Sequence, residues 1–178
     1  MAEATLDTLF HASLRDTLYA ERKALQLLRK QIRAAKAPEL RQAFETHREE
    51  TEGQVERLQQ VFELIGKRAT GKSCPSIDGI AEEAEDMMEE FGGSPVGDAA
   101  LIASAQAGEH YEICRYGTLA SWAKQMGNAE AEQLLRETLA EEVKTDELLT
   151  QLAESAINPQ GDQRGGEDAD DGEDAKPR

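Results

Sequence analysis

The sequence predicts an all-α fold: an antiparallel four-helix bundle with a long crossover that carries an extra short helix. Three observations point there. Ala, Leu, Glu and Gln are abundant while aromatic residues make up only 4% of the chain, a composition that favours helix over strand. Apolar residues recur at steps of three or four along four long stretches, the spacing of a helix face that packs on other helices. Gly, Pro and Asn then divide those stretches into two tightly joined pairs with one long connection between them.

The first helix is expected from about Thr5 to Ala35, with an inward stripe of Leu6, Phe10, Leu14, Leu18, Glu21, Leu25, Leu28 and Ile32. Ala37-Pro38 ends it and opens the second, since proline is tolerated in a first helical turn. That second helix, Pro38 to Ile65, carries Leu40, Phe44, His47, Glu50, Gln54, Leu58, Val61 and Ile65 inward, and Gly66 is a suitable stop. In the crossover, Ser76 can cap a short helix from Ile77 to Phe91 that turns Ile80, Ala84, Met87 and Met88 inward; the acidic run Glu82–Glu90 reads as its solvated face. The third long helix runs from near Asp98 to Met126, with Ile102, Ala105, Glu109, Glu112, Tyr116, Leu119, Ala123 and Met126 on one stripe. Gly127-Asn128 turns the chain into the fourth, which presents Leu135, Thr138, Glu142, Thr145, Leu149, Leu152 and Ala156, with Asp146 bordering that row. Residues 1–157 thus form the bundle, and 158–178, rich in Gly, Asp and Glu, are expected to be a disordered acidic tail.

Composition narrows the function. The formal net charge is −16, which argues against nucleic acid as a partner, because phosphate neutralisation dominates that binding. The tail from Asn158 holds seven acidic and three basic residues, a net of −4, so −12 remains on the bundle. No apolar run approaches the roughly 20 residues of a membrane span, and no charged-then-apolar leader opens the chain. Cys74 and Cys114 form no metal or disulfide spacing. With those features a cytoplasmic location is expected.

All four long helices place a carboxylate on the face that should be core. In an antiparallel pair, residues equally far from the turn lie side by side, at about 1.5 Å per residue. Counted from Lys36-Ala37, Glu21 and Glu50 are level to within roughly 2–3 Å. Counted from Gly127-Asn128, Glu142 is level with Glu112, while Glu109 is off by about one turn unless the loop uses extra residues. A carboxylate cluster at mid-bundle follows in either case, and the count does not choose between Glu109 and Glu112. The two halves also align with each other, EETEGQVERLQ on EEVKTDELLTQ, so that Glu50 matches Glu142 and Gln54 matches Asp146.

Four carboxylates cannot share a dry core as anions, because each raises the others' pKa until they protonate. Two divalent cations resolve the conflict, with His47 as a nitrogen donor. Oxygen-rich donors with one imidazole and no thiolate suit iron or manganese better than zinc. A carboxylate-bridged site of that kind in a bundle with one long crossover is the ferritin-like arrangement.

The segments LRDTLYAE, HREETEGQVERL and DAALIASAQAGEHYEICRYGTLA, together with the EE-x-x-x-D of the last helix, resemble the YciE/YciF stress-protein family of the ferritin-like superfamily. The similarity spans about Thr5 to Ile157. It implies a homodimeric bundle with a di-metal site, made under stress. The family-like metal positions are Glu21, His47, Glu50, Glu109, Glu112, Glu142 and Asp146. One departure from the wider superfamily stands out. Its usual Glu-x-x-His reads Glu50-x-x-Gly53 and Glu142-x-x-Thr145 here, with His47 three residues before Glu50 and Asp146 offered in the last helix.

Two functions remain in play. One is a di-iron or di-manganese oxidoreductase, acting as a ferroxidase or on oxygen or peroxide. The other is a non-catalytic metal-binding or structural stress protein in which the ions only lock the bundle. Beside these, His110 reads as a supporting or surface residue, and Tyr19, Tyr111 and Tyr116 as core packing. Cys114 reads as a small core residue.

Overall fold

The computed structural model describes residues 4–162. Four long helices form the bundle: α1 (Leu6–Ala34), α2 (Pro38–Leu64), α4 (Gly97–Gln125) and α5 (Ala129–Leu152), while α3 (Pro75–Phe91) lies in the crossover. A π-helical turn (Ala153–Ile157) and the short α6 (Asn158–Gly161) follow, and no strand occurs among the described residues. α1 packs on α2 and α4, α5 packs on α2 and α4, and α3 lies against α1 and α4.

Local chemistry sets the ends. Thr5 caps α1 reciprocally with Thr8: the Thr8 amide donates to Thr5 Oγ1 at 3.3 Å and the Thr5 amide donates to Thr8 Oγ1 at 3.0 Å. Gly66 and Gly127 follow α2 and α4 with φ of 65° and 73°. That left-handed conformation is open to glycine without a Cβ penalty. Asn128 then caps α5, its side chain accepting from the Ala131 amide at 3.0 Å. The two halves are joined at the other end by Asp98, which accepts from the Lys36 amide at 2.9 Å and the Ala37 amide at 2.7 Å. The start of α4 is thereby tied to the α1–α2 turn. α3 begins earlier than expected, with Pro75 at its first turn and Cys74 rather than Ser76 as the residue before it. A proline's fixed φ suits that position, so no side-chain cap is needed.

The core has two apolar halves. One gathers Phe10, Leu14, Leu18, Leu58, Phe62 and Leu119; the other gathers Leu28, Leu40, Phe44, Ile102, Leu149 and Ile157. Between them lies a buried polar layer. Burying a Leu or Phe stabilises the fold by about 1.5–3 kcal/mol each, so the two halves can tolerate a costly layer between them.

Further expectations for the chain are corrected. Ala156 is exposed and Ile157 is buried instead. The π-helical turn holds an extra residue, which shifts the inward face by one position. Cys114 is exposed rather than core, because it lies on the side of α4 away from the Glu109–Glu112–Tyr116 stripe. The helical rod also continues through Asn158–Gly161, past the point where the acidic tail was expected to begin; the rest of that tail, 163–178, lies outside the described residues. Among the described residues, no helix is long and apolar enough to cross a membrane.

Candidate metal centre

The polar layer is built from three of the bundle helices, with the fourth alongside. α2 contributes His47, α4 contributes Glu109 and Glu112, and α5 contributes Glu142. One ligand atom from each lies within 4.8 Å of the others, and all four residues are buried. His47 Nε2 is 3.0 Å from Glu109 Oε1 and 3.9 Å from Glu142 Oε2. Both Glu109 and Glu112 enter, since residues three apart on a helix share a face. The register count left that choice open, and the structure uses the two together.

Glu21, from α1, is fully buried beside this quartet and accepts a hydrogen bond from the Tyr116 hydroxyl. Burial, with the Glu21 charge adding to it, holds the Tyr116 phenol well above its ordinary pKa. It therefore stays protonated and acts as a fixed donor.

The other two expected ligands lie apart. Glu50, at the half-exposed edge of α2, pairs with Lys144 Nζ at 3.1 Å. Asp146 accepts from Gln106 Nε2 at 2.9 Å and has His110 Nε2 at 3.4 Å. The pseudo-symmetry that matched Glu50 to Glu142 is thus broken at the side-chain level: Glu142 points in, and Glu50 points to a lysine.

The electrostatics of the layer are severe. Burial is the largest cause throughout. It and the neighbouring Glu142 push the Glu21 carboxyl up to about 8. Glu109 is pushed up to about 7, and Glu112 and Glu142 are raised well above the carboxylate range. Counted as carboxylates, five buried oxygens have no donor, one each on Glu21, Glu109 and Glu112 and both on Glu142; Glu109 and Glu142 face each other closely enough to share a proton when one is protonated. A buried polar atom left unpaired costs about 1–3 kcal/mol, and more when charged. Native interiors hold few of them, and each calls for an explanation.

The donor set meets the requirements of a hard or borderline divalent cation. It offers carboxylate oxygens and one imidazole, without thiolate. Thr145 supplies the outer support: its hydroxyl faces His47 Nδ1 at 3.4 Å. A proton on Nδ1 leaves the Nε2 lone pair directed at the carboxylates. Thr145 occupies the place where the wider pattern has a histidine, so the residue that looked like a lost ligand instead orients the one on the facing helix. Sequence reasoning also missed Gln31. The α1 stripe was continued through Ile32, yet Gln31 is the buried residue and Ile32 only half-buried. The step of three from Leu28 was the available signal.

Fold and site together define a four-helix-bundle protein with a buried carboxylate–imidazole centre at mid-height. Known proteins share that fold. Residues 5–161 match the family described as a domain of unknown function, DUF892, and the chain belongs to that family. It is 43% identical over 161 residues to Protein YciF of Escherichia coli K12, a match covering 90% of this chain and 97% of YciF. The crystal structure of the E. coli stress protein YciF superposes with a TM-score of 0.83 at 44% identity, covering 88% of this chain and 99% of YciF. YcfI from Rhodopseudomonas palustris gives 0.81 at 40%, covering 84% and 97%. A Xanthomonas campestris protein, at 22% identity with a TM-score of 0.71 over 88% and 96%, shares the fold.

Proposed function

We propose that the chain is a ferritin-like metal protein of the stress response, with two iron or manganese ions at mid-bundle. The observation that carries this is the set of unpartnered buried carboxylate oxygens around His47 Nε2. Charge supports the count of two: the four buried glutamates Glu21, Glu109, Glu112 and Glu142, once ionised, are balanced by two divalent cations, and no lysine or arginine is among the buried residues of the layer. His47, Glu109, Glu112 and Glu142 are the ligands of one ion, and Glu21 with its neighbours Glu112 and Glu142 provides for the second. Such ions, when bound, supply one-electron redox change toward oxygen, peroxide or ferrous iron. The residues bind and orient them, and the apolar halves above and below exclude bulk water. Because the glutamates hold protons in the absence of metal, binding releases protons and tightens as pH rises.

A second reading keeps the metal and drops the turnover. The quartet is at most 4% exposed, which suits a lock as well as a catalyst, and a structural role has been put forward for YcfI. Anaerobic titration with ferrous or manganous ion tests the shared premise. Two equivalents per chain are expected to bind, with protons released, and binding is expected to be lost in Glu142→Ala and His47→Ala. Wild type that binds no more metal than these variants contradicts both readings. Consumption of oxygen or peroxide by the loaded wild type then separates the first reading from the second.

A further inference from the structure

Residues 22–38 concentrate positive charge on an acidic protein: they hold six Lys or Arg and no Asp or Glu. Lys23 and Lys30 are engaged by α3, at 3.6 Å from Asp78 and 2.6 Å from Glu85, and Lys36 Nζ donates to the carbonyls of Gly93 and Ser94. Arg22, Arg29 and Arg33 are left. Their spacing puts them on one side of α1, and all three are exposed, with no ion pair to any other described residue.

Arg29 and Arg33 line a groove of about 350 Å³ between α1 and α2, completed by Ile32, Glu45, Arg48 and Glu49. Arg48 has its Nε buried with no acceptor, and its Nη1 meets Glu52 only at 3.9 Å. A shielded cationic donor without an acceptor calls for an occupant, and guanidinium forks are matched by carboxylate or phosphate. Glu45 and Glu49 oppose a bare polyanion such as polyphosphate. They suit an anionic run that brings flanking cations.

The chain itself carries such a run. Positions 167–174 hold six Asp or Glu, with Arg164 before them and Lys176 and Arg178 after. They lie beyond residues 5–161, the part matched by the family. Gln160 lines a recess with Lys36, Ala37 and Pro38, so the chain leaves the bundle beside the α1–α2 turn. From Lys36, Arg33 and Arg29 stand roughly 5 and 10 Å back along α1, at about 1.5 Å per residue. Counted from Asp162, Glu167 can reach up to about 17 Å and Asp174 about 40 Å. A short tether holds the run at an effective concentration of about millimolar, while the net negative charge of the bundle repels it from other faces.

We infer that the acidic run 167–174 docks in the arginine groove between α1 and α2, with its carboxylates on Arg29, Arg33 and Arg48. The inference uses no residue of the metal layer and stands whether or not that layer holds metal.

Full-length protein carrying Cys114→Ser and Ala169→Cys, with a nitroxide on the new thiol, tests this by NMR; Cys74, 4% exposed, stays unlabelled. Amides of residues 29–33 and 45–49 are expected to relax several-fold faster than those of Glu147 and Gln151, exposed on α5 at the same end of the bundle. The difference should vanish at about 1 M salt, where the screening length is about 3 Å, and in Arg29→Gln/Arg33→Gln. Equal enhancement at both places, or enhancement unchanged by the arginine substitutions, would overturn the inference. A mixture of nitroxide-bearing chain with isotope-enriched chain lacking the label reads contact between copies. Enhancement of the groove amides only in that mixture would place the run on a second copy, and would also overturn it.

Discussion

Metal-free protein is expected to be more stable at pH 5 than at pH 8, and bound metal is expected to reverse that order. The sign follows from the glutamates. Glu21 and Glu109 titrate at about 8 and about 7 in the folded chain, against about 4.3 for an unperturbed glutamate, and Glu112 and Glu142 are raised as well. Between the unfolded and folded values the folded chain therefore binds more protons than the unfolded one. Stability falls as pH rises through that window, by up to about 1.4 kcal/mol per pH unit for each such group. Most small proteins have the opposite dependence, since their carboxylates are paired on folding. Urea unfolding in chelator at the two pH values measures the effect. Divalent metal removes the protons and replaces them with charge, so the loaded protein gains stability as pH rises. At a free concentration near 1,000 times Kd the gain is about 4 kcal/mol.

The second large effect comes from Glu142, fully buried between Leu135 and Leu149 along α5 with both oxygens unpartnered. Glu142→Leu keeps the volume and removes the two orphaned acceptors. Metal-free protein should gain about 1–3 kcal/mol from the change, while metal-dependent stabilisation should disappear. Opposite effects of one substitution in the two states are the signature of a residue retained for a ligand at a cost to the fold. Melting curves of wild type and variant, each in chelator and in manganese, give all four values. If the variant loses stability in both states, Glu142 is a structural residue held by partners other than metal.

Much of this was legible in the chain. The helix period fixed which faces turn inward, and the glycines and Ala37-Pro38 fixed the turns from which heights could be counted. From these the mid-bundle level of Glu21, Glu112 and Glu142 followed. The period has a width, however, and residues at its edge are decided by their neighbours. Glu50 lies at such an edge, and Lys144, exposed on the next helix, takes its carboxylate. Asp146 is held in the same way by Gln106. Neither partner has a sequence signature, because each depends on which rotamer meets which across two helices. Ala156 fails for a different reason: counting assumes 3.6 residues per turn, and the π-helical turn breaks that assumption. Gln31 and Thr145 are the instructive cases. Gln31 escapes the stripe drawn through Ile32 and faces a cavity, and Thr145, which stands where the wider pattern has a histidine, orients the histidine on the facing helix.

The central claim is that the carboxylate layer exists to hold metal. Anomalous diffraction at the iron edge, from crystals loaded anaerobically with ferrous ion, tests it most directly. The account expects two peaks within the polar layer, one bounded by His47, Glu109, Glu112 and Glu142 and the other beside Glu21, both absent from Glu142→Leu crystals. Density confined to surface carboxylates such as Glu50 or Asp146, with the buried layer empty at saturating ferrous ion, would contradict it.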